Sequence, residues 1–268
     1  MGNLFKIVLI VITVGEISAI NPVKDYKFHL PAYIENIDSS FIRTDDGAAV
    51  FLYTVYSDDM NIGTSIIMAY GDSGNLSYCL PYAVRLNQMG YSVILFDYRG
   101  FGNSSAWENN ENMLFYSEYA VDLNHVIDYT KRKYPENKIG IMAFSMGTII
   151  STLSTQNDSV DFFIFENYVT CLKETLKRIN KRSAGKMVLP HNFDLEKYSN
   201  LVRNINIPLL VFNAKDDRVI KEKDLHILSK KKCVTVNYNG NHGCGYATLG
   251  ENYFDTIREF LFYHTFGE

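Results

Sequence analysis

The sequence is poor in cysteine, proline and basic charge. These shortages argue against a zinc or redox motif, a proline-rich linker and a nucleic-acid-binding protein, respectively. Its 268 residues include four cysteines and six prolines, and no two cysteines have the C-x-x-C spacing of zinc or redox motifs. The formal net charge is −4, whereas a nucleic-acid-binding protein is expected to have a basic patch or a high pI. We therefore expect single thiols, no metal or organic cofactor, and no nucleic-acid partner.

The chain also lacks an apolar run as long as the roughly 20 residues that a membrane-spanning helix needs. Its beginning is instead typical of a secretory signal peptide. Lys6 precedes an apolar run over residues 7–14, and small residues lead to a cleavage position after Ala19. We predict a leader of residues 1–19 and a secreted or periplasmic protein. An N-terminal anchor that keeps the protein near a membrane is the alternative.

The rest of the chain, residues 20–268, contains no repeat, low-complexity tract or linker, which indicates one domain. An early hairpin is predicted around Asp45-Asp46-Gly47. Apolar strand-like runs then alternate with amphipathic helical stretches, which predicts an α/β domain with a mostly parallel sheet flanked by helices. Residues 166–206 break this rhythm, being polar and helical in tendency, so we interpret them as a small helical lid.

Ser145 has the sequence context of a catalytic nucleophile. It lies in Ala143-Phe144-Ser145-Met146-Gly147, between an apolar strand and the start of a helix. A serine on such a sharp, strained turn needs small neighbours two positions away, so that strand and helix can approach closely. The segment alone is also compatible with an ordinary turn, so the assignment depends on the partners of the serine.

A base and an acid follow Ser145 along the chain, as activation of a serine hydroxyl requires. His242 lies in a glycine-rich loop directly after one predicted strand, and Asp216 and Asp217 directly follow the preceding strand. Loops at the carboxyl ends of parallel strands meet at one edge of the sheet. The residues leave Asp217 and Asp216 both open as the acid, with Glu166 as a third candidate.

Together these motifs resemble the α/β-hydrolase fold superfamily, and within it the esterase-like branch related to the serine aminopeptidase and monoacylglycerol-lipase families. The resemblance spans residues 41–260. It includes residues 97–104, which match a D-x-R-G-x-G-x-S signature that braces the loops around the nucleophile in relatives. It implies an α/β-hydrolase fold and, by alignment of Ala214 with a glycine of the relatives, Asp217 as the catalytic acid.

The resemblance also locates the oxyanion hole, which is formed by backbone N–H groups. Met146 is expected to supply one N–H group and Asp72 the other. Relatives commonly carry H-G-x-x-G at the second site, where this chain has Tyr70 in place of histidine and retains Gly71 and Gly74. A carboxylate pointing inward would oppose an oxyanion, so we expect the Asp72 side chain to point away.

The predicted activity is carboxylesterase-like. A Ser-His-Asp triad would cleave an ester, thioester or amide bond of a small or acyl substrate through an acyl-enzyme. Two alternatives stay open: a binding module that has the fold but no turnover, and a cell-envelope serine peptidase. The sequence does not indicate the oligomeric state.

Overall fold

The computed structural model describes most of the chain beyond the predicted leader. The described residues are 20–32, 34–57, 62–107, 112–155, 158–183, 186–228 and 233–265. The leader over residues 1–19 lies outside them and stays a prediction. Within these ranges, no helix combines the length and apolar character needed to cross a membrane.

A large, mostly parallel sheet organises the domain. The strands are β1 (Asn21–Pro22), β2 (Ile37–Arg43), β3 (Ala49–Val55), β4 (Thr64–Ala69), β5 (Ser73–Gly74), β6 (Ser92–Phe96), β7 (Lys138–Phe144), β8 (Phe162–Glu166), β9 (Leu209–Ala214) and β10 (Cys233–Tyr238). Eight of them form one sheet in the order β10-β9-β8-β7-β4-β6-β3-β2. The pairs β2–β3 and β3–β6 are antiparallel, and the other neighbours are parallel.

Burial explains the composition of the strands. All residues of β4, β6, β8 and β9 are buried, and strands covered on both faces become continuously apolar. The edge strand β2 instead contains several exposed residues. The hairpin predicted around Gly47 is confirmed, because β2 pairs with β3 from Ile37↔Val55 to Arg43↔Ala49.

Two groups of helices flank the sheet. The helices are α1 (Leu80–Gln88), α2 (Tyr116–Lys133), α3 (Met146–Leu153), α4 (Leu172–Asn180), α5 (Leu195–Asn204), α6 (Gly245–Leu249) and α7 (Glu251–Thr265). Helix α3 packs against both α2 and α5, whereas α1 meets α7 through the Tyr82 and Phe254 rings, whose centroids are 6.3 Å apart. A 3₁₀ helix, Glu222–Leu228, precedes β10.

The predicted lid, residues 166–206, contains α4 and α5. Helix α5 packs against α3, buries Tyr198 and Val202, and the Tyr198 hydroxyl donates to the carbonyl of Val169. Helix α5 therefore belongs to the layer that covers the sheet. A covering role for the remainder of this segment stays a prediction.

A two-stranded element that the sequence did not indicate supports the loop after β4. Strand β1 pairs in parallel with β5, and the N–H of Asn21 donates to the carbonyl of Asp72 at 2.8 Å. Ile20 beside it is buried. The first described residues therefore fasten the loop in which the oxyanion hole is expected.

The segment with the D-x-R-G-x-G-x-S signature is organised around Asp97, which is fully buried. Its carboxylate accepts the N–H groups of Leu76 at 2.8 Å and Asn103 at 2.9 Å, and the hydroxyl of Tyr26. These bonds tie the loop after β6 to the 3₁₀ turn that follows β5. The contacts fit the bracing role expected for the segment.

Candidate active site

Ser145 occupies a strained turn between β7 and α3. Its backbone angles are φ 49° and ψ −112°, a conformation that costs a residue with a Cβ about 1–3 kcal/mol. A Cβ at Gly147 would lie 2.0 Å from the carbonyl oxygen of Ala69, so only glycine fits there. The fully buried Ala143 lies on the strand side. The small neighbours recognised in the sequence therefore let α3 approach β4 closely.

His242 and Asp217 form a hydrogen-bonded pair. Nδ1 of His242 lies 2.6 Å from Oδ2 of Asp217. The other carboxylate oxygen accepts the N–H groups of Val219 at 2.6 Å and Ile220 at 3.0 Å. Asp217 is buried and follows β9, whereas His242 follows β10, so each reaches the site from the carboxyl end of a parallel strand.

The two members of the pair shift each other's pKa in opposite directions. Burial raises the pKa of Asp217, but the hydrogen bond and charge of His242 and two backbone N–H groups outweigh burial and hold it below its usual range. Burial lowers the pKa of His242, but the hydrogen bond and charge of Asp217, with the charges of Asp72 and Glu166, raise it overall. The protonated imidazole is therefore stabilised next to Asp217.

The other two candidate acids have different partners. Asp216 is exposed, and its backbone N–H donates to the carbonyl of Gly240 at 3.1 Å. Glu166 is buried, and its carboxylate accepts hydrogen bonds from Tyr238, Tyr253 and the N–H of Gly245. Of the three carboxylates, Asp217 is the one bonded to His242.

The loop after β4 passes directly beside the serine. A Cβ placed on Gly71 would lie 3.7 Å from the Cβ of Ser145. Tyr70, which replaces the histidine of the relatives, is a buried core residue whose ring lies 4.8 Å from that of Tyr98. Its hydroxyl accepts the N–H of Tyr98 at 3.2 Å. The substitution therefore anchors the loop in the core.

The direction of the Asp72 side chain, expected to be away from the site, stays a prediction, but its charge acts on groups beyond its own loop. Its carboxyl is close enough to His242 and Tyr116 for its charge to raise the pKa of both. Burial raises the pKa of Asp72 itself, and the charge of His242 opposes that shift. The negative charge of Asp72 thus helps to stabilise the protonated imidazole of His242.

Two residues beside the site were missed as structural partners. Glu166, a candidate acid in the sequence, instead holds Tyr238, Tyr253 and Gly245, and the sequence gives no indication of Asn167. Asn167 has φ 54° and bonds to both Asp217 and the loop of His242. A positive φ in a non-glycine residue marks a special position, but no sequence pattern reveals it.

The site contains no obvious place for a metal ion. Within the ranges that the structure describes, no three His, Cys, Asp or Glu side chains are grouped so that they could hold one. The four cysteines are free thiols.

Comparisons with known proteins agree with the architecture. A family model described as the alpha/beta hydrolase fold matches residues 66–167, which include Ser145. The esterase Pf2001 of Pyrococcus furiosus has a similar structure, with a TM-score of 0.72 and 18% sequence identity over 90% of this chain and 98% of the esterase. This protein therefore has the α/β-hydrolase fold that the sequence predicted.

Two relatives are recognisable by sequence. The protein YqkD of Bacillus subtilis is 27% identical over 74% of this chain and 70% of its own length. The lysophosphatidylserine lipase ABHD12 of Xenopus tropicalis is 31% identical over 50% of this chain, but the match covers only 37% of that lipase. The family model and the match to the lipase confirm the resemblance to the esterase-like branch and support a hydrolase.

Proposed function

We propose that this chain, whose fold is that of the α/β hydrolases, is a serine hydrolase that cleaves an ester, thioester or amide bond of a small or acyl substrate. The observation that carries the proposal is the 2.6 Å contact between Nδ1 of His242 and Oδ2 of Asp217. A buried carboxylate that fixes Nδ1–H leaves Nε2 free to act as a base.

The reaction begins with attack of the Ser145 Oγ on the carbonyl carbon of the substrate, while Nε2 of His242 takes the hydroxyl proton. The tetrahedral oxyanion is held by the N–H groups of Asp72 and Met146. The carbonyl then reforms, the bond to the leaving group breaks, and His242 donates its proton to that group. Water attacks the acyl-enzyme through the same steps and releases the acid.

The Ser145 hydroxyl is available for this role. Oγ makes no hydrogen bond with any of the residues that the structure describes, and contacts to a catalytic base are often long before substrate binds. Ser145 lies beside Gly71, and the charge of the next residue, Asp72, acts on His242. Substrate binding is expected to bring Oγ within reach of Nε2.

A carboxylic ester is the substrate class that the relatives favour. An esterase and a lysophosphatidylserine lipase are among the similar proteins, and their names concern acyl esters. The charge of Asp72, which acts on His242, is the feature that favours the alternative of a silent binding module, because a negative charge near the oxyanion hole opposes an oxyanion. The peptidase alternative has no such specific support.

A fluorophosphonate probe tests the proposal, since it labels only an activated serine. We expect the purified protein to be labelled. The control variant Ser151→Ala, which retains Ser145, should also be labelled, because Ser151 lies within α3 and donates to the carbonyl of Gly147. We expect Ser145→Ala to remain unlabelled. An unlabelled wild type contradicts the enzyme, and equal labelling of Ser145→Ala contradicts the nucleophile.

A series of p-nitrophenyl esters of increasing chain length then tests the bond and the acyl group. Turnover that is lost in Ser145→Ala, by a factor of about 10⁴ or more, supports ester cleavage. Labelling without turnover of any ester in the series contradicts the choice of carboxylic esters.

We further propose that residues 1–19 direct export, with cleavage after Ala19. The support is the order of Lys6, the apolar run over residues 7–14 and the small residues before the cut. Mass spectrometry of the protein from the secreted or periplasmic fraction checks this proposal. A chain that begins at Ile20 is expected, whereas an uncleaved chain in the membrane fraction indicates the anchor.

A further inference from the structure

Asn167 has an unusual position at the end of β8. It is 1% exposed, and its φ of 54° makes it one of the two non-glycine residues with positive φ in the part of the chain that the structure describes, Ser145 being the other. Its backbone N–H donates to the carbonyl of Phe212 at 3.0 Å. Asparagine tolerates positive φ better than most residues, and here the conformation directs the side chain toward the acid and base loops.

The side-chain amide of Asn167 connects those two loops. Nδ2 donates to Oδ2 of Asp217 at 2.9 Å, and Oδ1 accepts the N–H of Gly243 at 2.7 Å. The first contact is to the oxygen that also meets His242, and the second is to the residue that follows His242. One amide therefore spans both partners of the proposed catalytic pair.

The Asp217 carboxylate is consequently saturated with donors. An ionised carboxylate offers about four acceptor sites. Oδ1 accepts the N–H groups of Val219 and Ile220, and Oδ2 accepts from Asn167 and faces Nδ1 of His242. With three donors fixed by the fold, the remaining site is directed at the imidazole, which must donate through Nδ1.

Glu166 supports the loop that carries His242, at the end where that loop meets α6. Its carboxylate accepts the N–H of Gly245 at 2.8 Å and the Tyr253 hydroxyl at 2.8 Å. Its backbone carbonyl accepts the N–H of Ser145 at 3.1 Å. The end of β8 is thus bonded to the serine by backbone and to the histidine loop by two adjacent side chains.

We propose that Asn167 is a positioning residue for the serine hydrolase reaction: its amide bonds to Asp217 and Gly243 hold the His242 ring so that Nδ1 donates to Asp217 and Nε2 faces Ser145. The role rests on the proposed function. Asn167 touches neither the substrate nor the reacting atoms in this scheme, so it acts through the acid and the base.

Two substitutions separate its contacts. Asn167→Gly removes the side chain at a φ that glycine adopts freely, so the backbone is not strained. Asn167→Asp keeps the shape and the acceptor for Gly243, but it replaces the donor to Asp217 with a negative charge. The charged groups that act on the His242 imidazole are Asp217, Asp72 and Glu166.

We expect kcat for a p-nitrophenyl ester to fall about 100-fold in Asn167→Gly, the effect of a misplaced catalytic group, with KM changed less than about threefold. Asn167→Asp is expected to lower kcat and to move the midpoint of the pH–rate profile upward, because another negative charge favours protonated His242. The rate of fluorophosphonate labelling is expected to fall in parallel with kcat.

Asn213→Ala is the matched control. Asn213 is a buried asparagine on the neighbouring strand β9, and its amide bonds to Asn237. Its loss is expected to lower the Tm while kcat stays within about twofold. A wild-type kcat in Asn167→Gly contradicts the positioning role. If the glycine variant does not fold, a folded Asn167→Asp with an unchanged kcat and an unchanged pH–rate profile contradicts it. An unlabelled wild type contradicts the proposed function instead.

Discussion

Oδ2 of Asp217 faces Nδ1 of His242 at 2.6 Å, whereas the neighbouring Asp216 extends into solvent. One step along the chain separates a buried carboxylate with four polar partners from an exposed one. This difference decides which aspartate can orient the imidazole, and it provides adjacent variants for a test.

Asp217→Asn is expected to lower kcat by about 10⁴, because the amide stabilises the wrong tautomer of the imidazole. Asp216→Asn, an identical change one residue away, should leave kcat within about twofold. Steady-state ester hydrolysis with circular dichroism as a check of folding measures both. A larger loss in Asp216→Asn than in Asp217→Asn contradicts the assigned acid.

The pH dependence of kcat/KM should report the ionisation of His242, which must be neutral to accept a proton. Since its pKa is raised above the ordinary 6.5, activity should rise with pH to a midpoint above 6.5. Asp72→Asn removes one of the charges that raise this pKa and retains the backbone N–H, so the midpoint should move to lower pH. A midpoint that stays in place or rises shows that the Asp72 carboxyl does not act on His242.

Gly147→Ala should destabilise the fold. The new Cβ would lie 2.0 Å from the Ala69 oxygen and 2.7 Å from its carbonyl carbon, and backbone atoms in a buried strand move only at a cost of about 2–3 kcal/mol. Gly71→Ala meets ordinary contacts of 3.7 Å, so its free energy of unfolding should change by less than about 1 kcal/mol. Urea unfolding compares the two, and equal losses contradict the close approach of α3 and β4.

Asp122→Asn tests the buried ion pair beside the segment that braces the site. The fully buried Asp122 accepts Nη2 of Arg99 at 2.7 Å and the Arg99 backbone N–H at 2.9 Å. Loss of one partner from a buried pair costs about 3 kcal/mol or more.

Glu251→Gln is the control for that change, since it breaks an exposed pair with Arg85 that should contribute less than about 1 kcal/mol. Urea unfolding of both variants provides the comparison. Similar losses in the two contradict a stabilising role for the buried pair.

The sequence was sufficient for the parts of the site that depend on local pattern. The turn between β7 and α3 was predicted from the apolar run before Ser145 and the small residues around it. This was possible because strand, turn and helix preferences depend on a few neighbouring residues. The parallel arrangement of strands then predicted that the loops after β9 and β10 lie at one edge of the sheet.

The sequence was insufficient where a role depends on contacts between distant segments. Asn167 resembles any asparagine after a strand, and its importance comes from bonds to residues 50 and 76 positions away. The loop that carries Asp72 is likewise held by a distant residue, because the N–H of Asn21 at the beginning of the domain donates to the Asp72 carbonyl. Neither feature follows from residue type or spacing.

The backbone of Ser145 finally bears on the choice between an enzyme and a silent binding module. At φ 49° and ψ −112° a glycine would be relaxed, so Ser145→Gly should gain about 1 kcal/mol of stability, whereas Ser145→Ala retains the strain. The protein would thus be more stable with a glycine at this position. Under the proposed function, the serine at this position exchanges some stability for a reactive hydroxyl, whereas a silent binding module would gain nothing from the strain.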